Sequence, residues 1–349
     1  MNNIMAHNFL EVEGGTNYKN KDTRIHVYVM LFLLFISLGG LLLRKYSSEK
    51  DNNFILANVL EPIKKVANIK NEVGGDIQVA PPIKPQLPEL TGEMLDSEQF
   101  SADCMLVRDV KSGKLLFQKN EYTPHALASI SKLMSALVIL EKDIDWTATT
   151  TVIGDDSLGT HIYAGDVYTL EQLWNVALVA SSNKAVLSIV NYLDWPEEAF
   201  VERMNQKAQE LGLLDTRFVE PTGLDENNIS TASDISLLLS DALRHNKIKD
   251  SLLLPEYNLY SKQRATAHHV WNTNWLLLGW VENSFADILG GKTGFINLAK
   301  YNFTVRLADE FGHQIDVVIL GADTHEARFT EARDVANWVF ANYKWPEVQ

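Results

Sequence analysis

The chain predicts an α+β domain in which helices cover an antiparallel sheet, preceded by one membrane-spanning helix. Three observations carry that expectation. Two short apolar runs, residues 105–107 and 115–117, flank Lys111-Ser112-Gly113 as the arms of a hairpin would. Far down the chain, Phe303, Val305 and Leu307 alternate with polar residues, and Ile315, Val317 and Ile319 do so again beyond the turn residue Gly312. Between these strand signals the apolar spacing is helical.

Length and charge narrow the function classes. At 349 residues the chain can bury a sizeable core, in one large domain or two smaller ones. A formal charge of -14 excludes affinity for phosphate backbones, which needs clustered Lys and Arg, so no nucleic-acid partner is expected. The single cysteine, Cys104, excludes an intrachain disulfide and a Cys-rich metal site, and is expected to be a buried apolar thiol.

Residues 1–24 are polar and aperiodic, a tail. Residues 25–43, IHVYVMLFLLFISLGGLLL, are long enough to span a hydrocarbon core without a formal charge. A cleaved signal peptide is the competing reading, but Leu41-Leu42-Leu43-Arg44-Lys45 offers no small-residue cleavage site, so an uncleaved anchor is expected. Arg44 and Lys45 balance Lys19, Lys21 and Arg24, which leaves orientation undecided by charge. Residues 44–99, with Pro81, Pro82, Pro85 and Pro88, read as an extended spacer, and a folded domain is expected over 100–349.

Within that domain Leu133, Ala136, Leu137 and Leu140 stripe a helix that opens near Ser129. Thr169-Leu170-Glu171-Gln172 has the form of a capping box and predicts a second helix running toward Ser181. A third pattern starts at Pro196 and stops at Gly212, and a fourth is capped at Thr231-Ala232-Ser233-Asp234, where Asp234 reads as a capping residue. Val335, Val339 and Phe340 stripe a closing helix from about Thr330.

Chemistry enters with Ser129 and Lys132. Three residues apart on a helix they share a face, and a serine hydroxyl beside a neutral amine is the least apparatus for an activated nucleophile. Ser47 with Lys50 and Ser181 with Lys184 repeat the spacing, so spacing alone does not select. Two further elements do: Ser181-Ser182-Asn183 after the capped helix, and Lys292-Thr293-Gly294 ahead of the C-terminal strands. Ser-x-x-Lys, Ser-x-Asn and Lys-Thr-Gly, in that order, form the triple of penicillin-binding proteins and serine β-lactamases.

From about residue 102 to 343 the chain resembles the low-molecular-mass D-alanyl-D-alanine carboxypeptidase family. Beyond the triple, the resemblance lies in Met204-Asn205-Gln206-Lys207-Ala208, Pro221-Thr222-Gly223-Leu224, Asn272-Thr273-Asn274 and Arg328-Phe329. It implies a β-lactamase/DD-peptidase-like fold with a sheet of about five strands. It also implies a serine D,D-peptidase acting on peptidoglycan stem peptides, with β-lactams as covalent inhibitors and no cofactor. By resemblance, Ser129 is acylated and Lys132 is the base. Ser181 passes a proton to the leaving D-alanine, and Asn183 orients Lys132 and the substrate amide. Lys292, staying charged, and Thr293 meet the substrate carboxylate, Gly294 lets substrate approach, and the backbone N–H groups of Ser129 and Phe295 form the oxyanion hole. The same resemblance puts the tail inside and the domain outside the cytoplasmic membrane.

Three departures stand out: Lys184 where the family usually has an acidic residue, Lys300 where a glycine is common, and His125-Ala126-Leu127 before the serine. A penicillin-binding sensor or cell-wall-binding module of weak activity, or a β-lactamase, are the alternatives, the last lacking an assignable deacylating base. His268-His269 fits no His-Glu-x-x-His pattern, so no metal site is expected. About fifty residues follow Lys-Thr-Gly, which leans toward the shorter, endopeptidase-like members.

Overall fold

Cys104–Asp109 (β1) and Leu115–Lys119 (β2) pair antiparallel across a turn in which Gly113 takes φ +72°, an angle that glycine adopts without a Cβ penalty. The structure, a computed structural model, describes residues 87–155 and 162–346. The tail, the apolar 25–43 segment and most of the spacer lie outside the described residues. Among the described residues no helix is long and apolar enough to cross a membrane. The described residues fall in one unit, and Glu89–Leu90 already pairs with Tyr343–Lys344, ahead of the Phe100 start that the sequence suggests.

The helical middle follows. A 3-10 turn, Ala128–Ser131, leads into Lys132–Ile139 (α1). Next come Leu170–Val179 (α2), Asn183–Tyr192 (α3), Glu197–Glu210 (α4), Ala232–Ala242 (α5) and Asn246–Leu252 (α6). The Thr169 capping box forms in full, with Thr169 Oγ1 accepting from Gln172 N and Gln172 Oε1 from Thr169 N. Ser182, whose hydroxyl accepts from Ala185 N, caps a helix of its own that the apolar spacing did not reveal. The capping at α5 falls to Thr231, while the Asp234 carboxylate accepts from Asp215 N and Thr216 Oγ1 and pins a neighbouring loop.

A hairpin absent from the sequence reading, Glu256–Ser261 (β3) with Thr266–Trp271 (β4), precedes the last three strands. These are Asp287–Ile296 (β5), Lys300–Ala308 (β6) and Gln314–Ala322 (β7), followed by the helix Ala327–Asn342 (α7). The five-stranded antiparallel sheet runs β5-β6-β7-β1-β2. Every residue from Asn302 to Ala308 is buried, the polar ones that alternate with the apolar ones included. Val305, Leu307, Val317 and Ile319 join the core under α7, while Leu106, Val318 and Leu320 join the core of α1, α2 and α5. The intervening polar residues survive burial because they are paired: Arg306 donates to both Asp316 carboxylate oxygens at 2.7 and 2.8 Å.

Candidate active site

The strand β5 ends the sheet, one of its edges pairing with no strand among the described residues, and at Gly294 it packs against the turn before α1. Gly294 makes the approach possible. A Cβ there would lie 2.6 Å from the Leu127 carbonyl oxygen and 3.2 Å from Ser129 N. Ala128, just before the serine, holds φ +49°, a left-handed angle that costs a non-glycine residue roughly 1–2 kcal/mol. Strain of this kind persists where the surroundings over-determine it. Here the constraint comes from below, where Gly223, at φ +90°, packs so closely that a Cβ would collide with the Ala128 carbonyl.

The helix α1 is buried beyond the apolar stripe of Leu133, Ala136 and Leu137 that the sequence predicts. All of its residues from Lys132 to Ile139 are buried, Lys132 included at 1% exposure. Its ammonium nitrogen lies 2.8 Å from Ser129 Oγ, 2.6 Å from Asn183 Oδ1 and 2.6 Å from the Thr222 carbonyl. Burial pushes the Lys132 pKa down to about 7, against a smaller upward pull from Glu220. An amine of that pKa is half neutral near pH 7 and can take a proton.

Across the groove, Lys292 Nζ donates to Ser181 Oγ at 2.7 Å and to the Thr293 carbonyl at 2.9 Å. Burial lowers its pKa well below the ordinary lysine value, and the charges of Lys132 and Arg328 lower it further. The sequence reading has Lys292 staying charged. The protein's own surroundings oppose that, because the charged neighbours acting on it are cations; an anion in the groove would restore the charge. Ser181 sits at φ +60° in the junction between α2 and α3, a position where helices usually place glycine. Thr293 Oγ1 donates to Thr273 Oγ1 at 2.7 Å, and Thr273 N donates to the Val179 carbonyl, so residues 272–274 brace the end of α2 against β5. The triple thus converges: Ser129, Lys132 and Asn183 on the helical side, Lys292, Thr293 and Gly294 on the strand, Ser181 between.

The sequence profile of the D-alanyl-D-alanine carboxypeptidase family matches residues 91–324. The chain belongs to that family. A D-alanyl-D-alanine endopeptidase of Pseudomonas aeruginosa is 28% identical over 268 residues, covering 75% of this chain and 83% of that protein. The D-alanyl-D-alanine carboxypeptidase DacF of Bacillus subtilis is 29% identical over 260 residues, 71% of this chain and 64% of its own length. Among solved structures, a DD-transpeptidase from Streptomyces matches with a TM-score of 0.63 at 23% identity, over 69% of this chain and 98% of that one. A penicillin-binding protein from Listeria monocytogenes, in its ampicillin-bound form, matches with a TM-score of 0.61 at 26% identity, over 71% and 100%.

This D-alanyl-D-alanine carboxypeptidase family member also holds groups whose part the sequence did not reveal. Glu220 accepts from Thr222 N at 2.7 Å and Thr222 Oγ1 at 2.6 Å, and also from Gly223 N. Asn228 donates to Glu220 Oε1 at 2.9 Å and to Ser131 Oγ at 3.2 Å. Together they fix the turn whose carbonyl holds Lys132. Pro221-Thr222-Gly223 stood out by resemblance only; no periodicity marks a carbonyl as an acceptor.

The departures find places too. Lys300 takes φ +51° in the β5–β6 turn, which explains why a glycine suits that position, and ion pairs with Asp103 and Asp323 hold it. Lys184 is buried, its Nζ 5.5 Å from the Tyr163 ring centroid, while the charge that acts on Lys132 comes from Glu220. His125 Nε2 lies 3.5 Å from Asp103. His269 pairs with Glu256 and His268 packs on Tyr163; no cluster of three metal-ligating side chains occurs among the described residues.

Proposed function

We propose that this protein is a serine D,D-peptidase that cleaves the D-alanyl bond of peptidoglycan stem peptides, as carboxypeptidase or endopeptidase, through an acyl-enzyme on Ser129. The observation that carries this reading is the Lys132 amine, within hydrogen-bond distance of Ser129 and Asn183 and held near neutrality. Neutral Lys132 takes the hydroxyl proton as Ser129 Oγ attacks the substrate carbonyl. The backbone N–H groups of Ser129 and Phe295 receive the developing oxyanion. As the C–N bond breaks, Ser181 gives its proton to the departing amine and is restored by the proton that Lys132 took from Ser129. Asn183 orients Lys132 and the substrate amide. Water then releases the acyl group.

Lys292 and Thr293 bind the terminal carboxylate, and the carboxylate in turn recharges Lys292. The free edge of β5 receives the peptide as an added strand, with Gly294 admitting it. The same groove takes β-lactams. Residues 25–43 act as a single-pass anchor, with residues 1–24 inside and the catalytic unit 100–349 outside, where its polymeric substrate lies. Protease accessibility of spheroplasts tests that topology: the catalytic unit is digested from outside, and its protection in spheroplasts until they are lysed would reverse the orientation.

Mass spectrometry of muropeptides tests the activity. Wild type releases D-alanine or splits cross-linked muropeptides, and Ser129→Ala does neither. Labelling by fluorescent penicillin with no turnover of either substrate would make the protein a sensor, and unchanged activity in Ser129→Ala would overturn the nucleophile.

A further inference from the structure

Beside the catalytic strand runs a chain of rings that peptide cleavage does not use. Phe295, next to Gly294, stacks on Tyr301 with centroids 4.5 Å apart. Tyr301 meets His325 at 5.8 Å, and His325 meets Trp275 at 4.3 Å. Trp275 then meets Trp280 at 5.6 Å, and Trp280 meets Trp271, the last residue of β4, at 5.7 Å. Exposure at its two ends sets this ridge apart from core packing, while Tyr301 and Trp275 root its middle in the core under α7. Phe295 is 47%, Trp271 49% and Trp280 52% exposed, and no other tryptophan of the chain is exposed to that degree. Contiguous apolar surface left in water marks a binding face.

We propose that the ridge is a saccharide-binding surface that seats the glycan strand of peptidoglycan beside the catalytic groove. This rests on the reading of the substrate as peptidoglycan, a polymer in which each stem peptide hangs from a sugar chain. Three features favour a sugar over another occupant. The ridge is continuous with the groove, since its first ring follows Gly294 directly. Its tryptophans are tilted to one another, by 61° between Trp271 and Trp280 and 71° between Trp280 and Trp275, which presents separate facets of the size of a pyranose face. Beside Trp271, the Glu256 and His269 pair, 2.9 Å apart on the same hairpin, supplies hydrogen-bonding groups to hydroxyls. The apolar C–H face of a sugar packs on an indole face while its hydroxyls remain hydrogen-bonded at the rim.

The test uses the full chain and glycan strands stripped of stem peptides by an amidase. Wild type and the Trp271→Ala/Trp280→Ala double variant are compared by co-sedimentation, with fluorescent penicillin labelling as the check that each is folded. The expected result is binding by wild type and a loss of roughly tenfold or more in the variant, the range that truncating aromatic anchors gives. Hydrolysis of intact sacculi falls correspondingly, while hydrolysis of a short soluble D-alanyl-D-alanine peptide changes little. Absence of wild-type binding to stripped glycan, or equal binding by the variant, overturns the proposal. So does a variant whose only loss is in self-association or in binding to lipid vesicles. Because glycan binding needs no turnover, it is read separately from the peptidase activity.

Discussion

The two sides of the groove each bury a lysine, yet treat it differently. On the helical side Lys132 meets three acceptors, and Glu220 stands close enough to pull its pKa upward against burial. On the strand side Lys292 meets Ser181 and a carbonyl, and the charges that act on it are those of Lys132 and Arg328, both cationic. The first site is electrostatically complete and poised near pH 7. The second would be completed by an anion from outside, such as the carboxylate of the proposed substrate. A base must be ready before substrate arrives, whereas a carboxylate receptor gains by holding back its charge until then.

Removing Lys132 tests the stronger half of this contrast. Lys132→Ala should lower the rate of penicillin acylation by about 10³-fold or more, as loss of an essential base does. Stopped-flow labelling reads it, and a loss under tenfold would move the base elsewhere. Lys292→Ala should cost less, roughly 10²-fold in kcat/KM, because it removes a charge-assisted contact and leaves the nucleophile intact. Its signature is specificity: the loss should shrink for an analogue without the terminal carboxylate.

Glu220→Gln sharpens the comparison through pH. Acylation in wild type should rise with pH through about 7 and level off above, since the neutral amine is the active form. Without the Glu220 charge the Lys132 pKa falls, so the rising limb moves to lower pH. The plateau should also drop, on the order of tenfold, because an amide nitrogen must face the donors of Thr222, Gly223 or Asn228. A plateau drop with no shift of the limb would reduce Glu220 to a structural tie. A direct effect on stability belongs to Gly223→Ala. Its Cβ would lie 2.8 Å from Ser129 N as well as against Ala128. Overpacking of that kind costs roughly 1–3 kcal/mol, measurable by denaturant unfolding.

Much of the fold was legible because its signals are local. A capping box at Thr169, a proline before α4, a glycine after it and period-two alternation in β6 and β7 each act within a few residues. The hairpin β3–β4 escaped because Tyr257-Asn258-Leu259-Tyr260 and Ala267-His268-His269-Val270 mix polar and apolar residues without strict alternation. The burial of the sheet's polar residues escaped for a different reason. Arg306 and Asp316 look solvent-facing in sequence, and only their mutual pairing across two strands lets them be buried.

By itself the sequence determined the parts of the site: which serine stands three residues before a lysine, the order of the three motifs, and the glycine that thins β5 at Gly294. Those are properties of residue identity and spacing. Only the tertiary structure decided how the parts are tuned. The pKa of Lys132 depends on burial all round α1 and on Glu220, which comes near through a turn far along the chain. The Lys292 pKa is lowered by burial first, and then by two cations that converge on it from α1 and α7. Dielectric and distance are set by packing, and no local pattern of residues encodes either.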